Sequence, residues 1–234
     1  MAERPIYIPV TDEGPYVKTY FIEFKWFPGM AITQAQKSVD ALHFEARNIL
    51  QINKILEISS KSKDELGINL SAFNLMIRTV KKGRAFSVEC AYQSSKVFEK
   101  GGPYNDLLDK SSREAKKDHR LKSSGRLIRF EFYNVRWDLE PQTAFYDWLY
   151  LNALNKQPLL AERVLEYSAF TDISFNPEKS INCQAYSAAL YVALHKRGIL
   201  KYALSSKDEF IEIIKEYKIS NAYNDEICQP KLRF

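Results

Sequence analysis

Leu70-Ser71-Ala72-Phe73-Asn74-Leu75, followed by Ser87-Val88-Glu89-Cys90-Ala91-Tyr92-Gln93-Ser94-Ser95-Lys96-Val97-Phe98, is the stretch around which the rest of this chain is read. Glu89, Gln93 and Lys96 fall at i, i+4 and i+7. On a helix that spacing puts a carboxylate, an amide and an amine on one face over two turns, a rise of about 10.5 Å. Side chains at the two ends of such a stripe converge on a ligand lying across its middle. A buried Glu exchanges protons near neutrality, and a desolvated Lys is a nucleophile that forms an imine with a carbonyl. The same spacing also describes a solvated face with an ordinary charge pair, and spacing alone does not choose. Phe73, Tyr92 and Phe98 flank the stripe as rings that either stack on a base or fill a core.

Outward from this stretch, residues 18–27 are aromatic and partly alternating and read as a strand, ended by Pro28-Gly29. Thr33-Gln34-Ala35-Gln36 has the form of a capping box, opening a helix to about Leu50. Residues 55–58 suit a short strand and residues 59–67 a polar loop. Gly101-Gly102-Pro103 stops the helix that carries Glu89 and Lys96. Residues 104–122 read as a short helix plus a basic loop, and 127–135 as a strand with Phe130 and Phe132 on one face and Arg129 and Glu131 on the other. Pro141 and Pro158 stand where first-turn residues of helices belong, the second helix ending near Tyr167. A further helix spans 182–197 with Gly198 as its stop, and Ser206-Lys207-Asp208-Glu209 caps a last one through Tyr217, leaving a loosely held tail after Ser220. The expected fold is α+β and predominantly helical, a single domain with a small β element. Residues 1–54 form a strand–helix extension packed on a body at 55–220, and 221–234 form the tail.

The chain has 234 residues, 45% of them apolar and 13% aromatic, which suits a globular protein with a substantial core. It has no run of about 18 apolar residues and no basic-then-apolar start, so neither a membrane span nor a secretory signal is expected and the expected compartment is the cytoplasm. Three distant cysteines (Cys90, Cys183, Cys228) and three scattered histidines (His43, His119, His195) support neither a disulfide framework nor a metal site. No glycine-rich phosphate loop or Ser-His-Asp order is present, which disfavours a kinase or a serine hydrolase.

Two further clusters bear on chemistry. Asp172, Asn176, Asn182 and Gln184 lie in a polar segment leading into an apolar helix. Asn182 or Ser180 suits a helix cap, Asp172 and Asn176 suit turns, and the helix start also offers amide donors to a phosphate. Lys110, Arg113, Lys116, Lys117, Arg120, Lys122, Arg126 and Arg129 crowd into one segment of a chain whose net charge is +5. Such a run reads either as a solvated face or as a track for a nucleic-acid backbone.

These motifs, in this order, resemble the NADAR superfamily, named for a link to NAD and ADP-ribose. Leu70-Ser71-Ala72-Phe73 resembles that family's Leu-Ser-Asn-Phe, and Glu89 to Phe98 resembles its Glu-His-x-Phe-Gln-Ala-x-Lys-Phe. Leu165-Glu166 with Asp172 and Phe175 is similar to Val-Glu … Asp-x-x-Trp, and Asn182 to the Asn of Gly-x-Asn-x-Leu-Gly. Ala72 stands where the pattern has Asn and Cys90 where it has His, and Asn176-Pro177-Glu178 replaces the glycines after the Asp-x-x-Trp element. The N-terminal segment and Phe170-Thr171-Asp172-Ile173 resemble the branch of NADAR antitoxins paired with DarT-type toxins, which ADP-ribosylate DNA bases.

The resemblance implies an ADP-ribosyl-guanine glycohydrolase that acts on DNA, releases ADP-ribose and reverses its toxin, with no metal or redox cofactor. It implies Lys96, Glu89 and Asp172 as catalytic, and Ser71, Phe73, Tyr92, Gln93, Asn176 and Asn182 as ligand contacts. Lys116, Lys117, Arg120, Lys122 and Arg126 would steer DNA, and the cognate toxin is a possible partner. Two other functions stay open: an N-glycosidase on a small phosphorylated metabolite of the riboflavin-pathway type, and a non-catalytic module that binds ADP-ribose or the toxin.

Overall fold

The computed structural model describes residues 1–79, 83–178 and 180–216. Of these, 43% are helical and 19% are in strands, so the fold is mixed α+β and not predominantly helical. Tyr217 and the tail after Ser220 lie outside the described residues.

The elements run β1 (Ala2–Pro9), β2 (Val17–Phe24), α1 (Ile32–Leu50), β3 (Ile55–Glu57), α2 (Glu65–Asn69), β4 (Met76–Arg78), β5 (Ala85–Ser87), α3 (Val88–Ser94) and β6 (Lys96–Phe98). After a single 3-10 turn at Asn105–Asp109 come α4 (Ser112–Lys117), α5 (Arg120–Ser123), β7 (Leu127–Phe132) and β8 (Val135–Trp137). The chain continues through α6 (Ala144–Asn155), α7 (Pro158–Val164), β9 (Ala169–Thr171), α8 (Gln184–Lys196), α9 (Leu200–Ala203) and α10 (Lys207–Glu216).

The principal sheet has the order β2-β1-β9-β3, with β3 parallel to β9 and the other pairs antiparallel. Strands from both sides of residue 54 therefore share one sheet. Alternation assigns its two faces. Ile6, Ile55 and Ala169 pack with Ile22, Phe24 and the Val39, Leu42 and Ala46 stripe of α1, while Tyr7, Leu56 and Phe170 face the larger core. That larger core is built on α8, whose residues Ala185 to Leu194 are all buried, as expected of a helix apolar on every side. The other sheets are β4-β5 and β6-β7-β8.

Several expectations change. Strand β1 carries Pro5 and Pro9, which mask its strand pattern; it is tolerated next to β9 because that pairing begins only at Ile6. Strands β4, β5 and β9 are three residues each, too short for an alternating signal. Helix α1 ends at Leu50 as expected, but its N-cap is Ala31 without a side-chain bond, so Thr33 is inside the helix and forms no capping box. The segment 59–67 already contains the start of α2, capped by Asp64. Residues 104–122 form the 3-10 turn and two short helices, and α4 has a full capping box between Ser111 and Glu114. The expected strand at 127–135 is a hairpin. Tyr133 and Asn134 have φ of 46° and 64°, the left-handed pair of a tight hairpin turn, so the chain reverses into β8. Pro141 precedes α6 by three residues and is not in its first turn, whereas Pro158 does open α7, which ends at Val164. Helix α8 begins after Cys183, with no cap from Asn182 or Ser180.

One correction moves a candidate catalytic residue. Helix α3 starts where Ser87 Oγ accepts from Cys90 N (3.1 Å), and it stops at Ser94. Ser94 and Ser95 turn their hydroxyls onto Ala91 O (3.0 and 2.6 Å), and Glu131 N takes Ser95 O (2.7 Å). Lys96 is therefore the first residue of β6, paired with Phe130 of β7, and not the third member of a helical stripe. Gly102 fixes this exit. Its φ is +89°, and a Cβ there would lie 2.2 Å from Lys96 O. Gly102→Ala is expected to lower the free energy of unfolding by roughly 2–3 kcal/mol through left-handed strain and backbone collision. An unchanged urea midpoint would contradict this account of the turn.

Candidate active site

The turn at residues 71–75 and the start of α3 are stitched together by backbone. Ser71 O accepts from Asn74 N and Leu75 N, both at 2.8 Å, while Glu89 N donates to Ala72 O and Val88 N to Leu75 O, both at 2.9 Å. This brings the two motif segments against each other and aims Glu89 and Gln93 into a cleft of about 720 Å³. Ser71, Phe73, Glu89, Tyr92, Gln93, Lys96, Asp172 and Asn182 all line it, joined by Lys116. The volume falls within the range of small-molecule sites.

Inside the cleft, Gln93 Nε2 donates to Glu89 Oε1 (2.9 Å), and Lys116 Nζ lies 3.9 Å from the same oxygen. Lys96 Nζ sits 4.7 Å above the Tyr92 ring, and among the described residues no carboxylate lies within ion-pair distance of it. Burial brings its ammonium down to about 8, opposed by the charge of Glu89 and assisted by that of Lys116. Asn182 Nδ2 donates to Tyr92 Oη (2.6 Å). These bonds fix both amides so that Gln93 Oε1 and Asn182 Oδ1 are buried without a partner among the described residues. A buried acceptor left unsatisfied is costly, and a hydroxyl-bearing ligand supplies what both lack.

Asp172 enters from the segment after β9. Its Oδ1 accepts from Ser174 N and its Oδ2 from Gln184 Nε2, both at 2.9 Å. Burial lifts its carboxyl to about 6 despite these bonds. Gln184, half-buried at the start of α8, also donates to Ile58 O (2.6 Å) and accepts from Ala72 N (2.6 Å).

The rings have fixed roles. Tyr92 packs on Phe130 and Tyr146, with ring centroids 5.3 Å from each, and Lys96 covers it from the cleft. Phe73 is half-buried, with Lys116 Nζ 5.2 Å from its ring centre. Asn176 is not among the cleft-lining residues; its Oδ1 accepts from Glu178 N (3.0 Å) and shapes a turn.

The basic segment divides. Arg120 is held by Asp106 (2.6 Å) and Asp118 (2.8 Å), Arg126 by Glu99 (3.3 Å) and Arg129 by Glu131 (3.3 Å). Asp106 and Glu99 lie outside the segment, so the sequence run overstates its free positive charge. Lys117 and Lys122 are exposed, and neither lines the cleft. Among the described residues no group of three or more His, Cys, Asp or Glu is placed to hold a metal ion, and no helix is long and apolar enough to cross a membrane.

A family model described as the DarT1-associated NADAR antitoxin matches residues 2–224. The chain belongs to that family. No curated protein matches it. Within the NADAR pattern, the two departures in the opening motifs now have locations. Cys90 does not line the cleft. Its buried thiol donates to Lys110 O (3.2 Å) and lines a second groove. Ala72 lines the cleft, and its backbone carries the motif's structural role through Gln184 and Glu89.

Sequence reasoning gave Gln184 no role, because its three contacts are far apart in the chain. It overlooked Glu57 as well, although a carboxylate inside the apolar run Ile55-Leu56-Glu57-Ile58 was a readable signal. Gln184→Ala removes three hydrogen bonds and leaves buried groups unpaired, so a loss of roughly 2–3 kcal/mol in urea unfolding is expected; a variant as stable as the parent would contradict the bridging role. Labelling of Lys96 by an amine-specific reagent, followed by peptide mass analysis, should be half-maximal near pH 8. A midpoint in the ordinary lysine range would show that the amine is not desolvated.

Proposed function

We propose that this protein is an N-glycosyl hydrolase that removes ADP-ribose from guanine bases in DNA, and thereby acts as the antitoxin that reverses a DarT-type DNA ADP-ribosyltransferase. The observation that carries this reading is the juxtaposition of an amine brought down to about 8 with a carboxylate and two unsatisfied amide oxygens in one cleft. Amine and carboxylate suit covalent glycosidic chemistry, and the two carbonyls suit the hydroxyls of a ribose.

In this mechanism, opening of the ribose ring exposes C1′ as an imine of the guanine amine. The neutral Lys96 amine adds to C1′, Glu89 relays the two protons that the adding amine sheds to the guanine nitrogen, and guanine in DNA departs, leaving a Schiff base on Lys96. Glu89 then accepts a proton from the water that attacks the same carbon, and ADP-ribose is released with Lys96 regenerated. Lys116 keeps Glu89 in an electropositive setting and disfavours protonation of Lys96. Asp172 holds ribose hydroxyls, Gln93 and Asn182 orient the sugar, and Ser71 and Phe73 line the same cleft. Lys116, Lys117 and Lys122 meet the DNA backbone, while Arg120 and Arg126 stay with their carboxylates.

Incubation with single-stranded DNA carrying ADP-ribosyl-guanine should release free ADP-ribose. Lys96→Met should reduce kcat on the order of 10³-fold, and Glu89→Gln by about 10²–10⁴-fold. Borohydride added during turnover should trap ADP-ribose on Lys96. Normal turnover by Lys96→Met, or an adduct on another residue, would overturn the lysine mechanism. A rate that survives trimming of the DNA to a mononucleotide would point to a small-metabolite N-glycosidase, and intact substrate with measurable ADP-ribose affinity to a binding module.

A further inference from the structure

Glu57 ends strand β3 and is 3% exposed, yet it faces no cation within ion-pair distance among the described residues. All its hydrogen-bond partners are neutral. Oε1 accepts from Ser59 Oγ (2.6 Å) and Ile173 N (2.9 Å), and Oε2 accepts from Thr171 Oγ1 (2.7 Å). Thr171 Oγ1 also meets His43 Nε2 of α1 at 2.8 Å. Burying a carboxylate without a cation is expensive, and Ile55 and Leu56 show that this strand is otherwise apolar. The pattern of partners explains its presence. Residues 171 and 173 flank Asp172, and Ser59 lines the cleft.

We propose that Glu57 is a positioning residue for Asp172, gripping the chain on both sides of that carboxylate, so that the two buried carboxyls interact through their charges. The inference rests on the reading of Asp172 as part of a glycosidase site. The network accepts either protonation state. With Glu57 ionised, Thr171 donates to it and accepts from His43 Nε2–H. With Glu57 protonated, Oε2–H donates to Thr171, whose hydroxyl turns to Nε2 of His43 in its other neutral tautomer, with the ring proton on Nδ1. His43 remains neutral in both, because burial brings its ring down to about 4.

Burial, and then the charge of Asp172, raise Glu57 to about 8. The other groups facing Asp172 are Arg4 and Tyr7 of β1, Lys116 of α4, Tyr146 and Tyr150 of α6 and Cys183 before α8. Glu178 lines the same cleft, and α1 places Asp40 and Arg47 around His43. Burial raises the three phenols and the thiol, so they stay neutral while the two carboxyls titrate. Lys96 does titrate in that range, so the decisive readout must come from the two carboxyls themselves.

Glu57→Gln retains an acceptor for Ser59 and Ile173 and a donor toward Thr171, but removes the charge. A carboxyl-carbon NMR titration of the full chain should show Glu57 titrating about one unit lower in Asp172→Asn than in the parent, because a neighbouring negative charge has gone, while the Asp172 curve in E57Q loses its upper inflection. Glu57→Ala, which releases residues 171 and 173, should lower kcat on ADP-ribosylated DNA roughly tenfold, and E57Q should restore most of it. In the parent protein both carboxyl signals should show two inflections, a measurement that needs no variant. Independent single inflections in the parent, or superimposable Glu57 curves in D172N and the parent, would overturn the proposal. If the parent turns nothing over but its two carboxyls titrate together, the glycosidase reading fails and the coupling stands.

Discussion

The Gln184 side-chain amide is the constraint on which the cleft depends. Its carbonyl accepts from the backbone of Ala72, and its NH₂ donates to Ile58 O and to the Asp172 carboxylate. An acceptor is required on one side and donors on the other, so the amide has one satisfactory orientation. Three segments distant in sequence thereby take their positions from a single residue. Gln184 in turn begins α8, whose buried apolar surface joins the sheet to α6. The geometry of the cleft is inherited from a helix buried on every side, as a preorganised site demands.

Enclosure then sets the electrostatics. Loss of solvent lowers Lys96 and raises Asp172 and Glu57, so a cation becomes nucleophilic and two carboxyls titrate closer to neutrality. Lys116 contributes differently. It lies beside Glu89 and over Phe73, so one member of what reads as a solvated basic run belongs to the cleft. The arginines of that run are mostly consumed in ion pairs with Asp106, Asp118, Glu99 and Glu131. Exposed pairs of this type add little stability but remove charge that a sequence count includes.

Long amphipathic or apolar elements were legible because their periodicity extends over several turns. Helices α1 and α8 are near their expected bounds, displaced mainly where a cap was assumed. Strands of three residues, such as β4, β5 and β9, carry too little pattern to read, and prolines disguised β1. At Lys96 the helical spacing was misleading. Two serines bond back to Ala91, the helix ends, and Lys96 approaches Glu89 from a strand, its ammonium folded over Tyr92. The residues of the pattern still meet in one cleft, through a different backbone path.

The sequence by itself determined the motif order, the presence of a buried helix after Asn182 and membership in the DarT1-associated NADAR family, because these depend on residue type and local spacing. Only the tertiary structure decided which polar groups are desolvated, which cations remain unpaired, and that Gln184 and Glu57 brace the cleft. Burial and hydrogen-bond satisfaction belong to surroundings assembled from remote parts of the chain, and no local pattern encodes them.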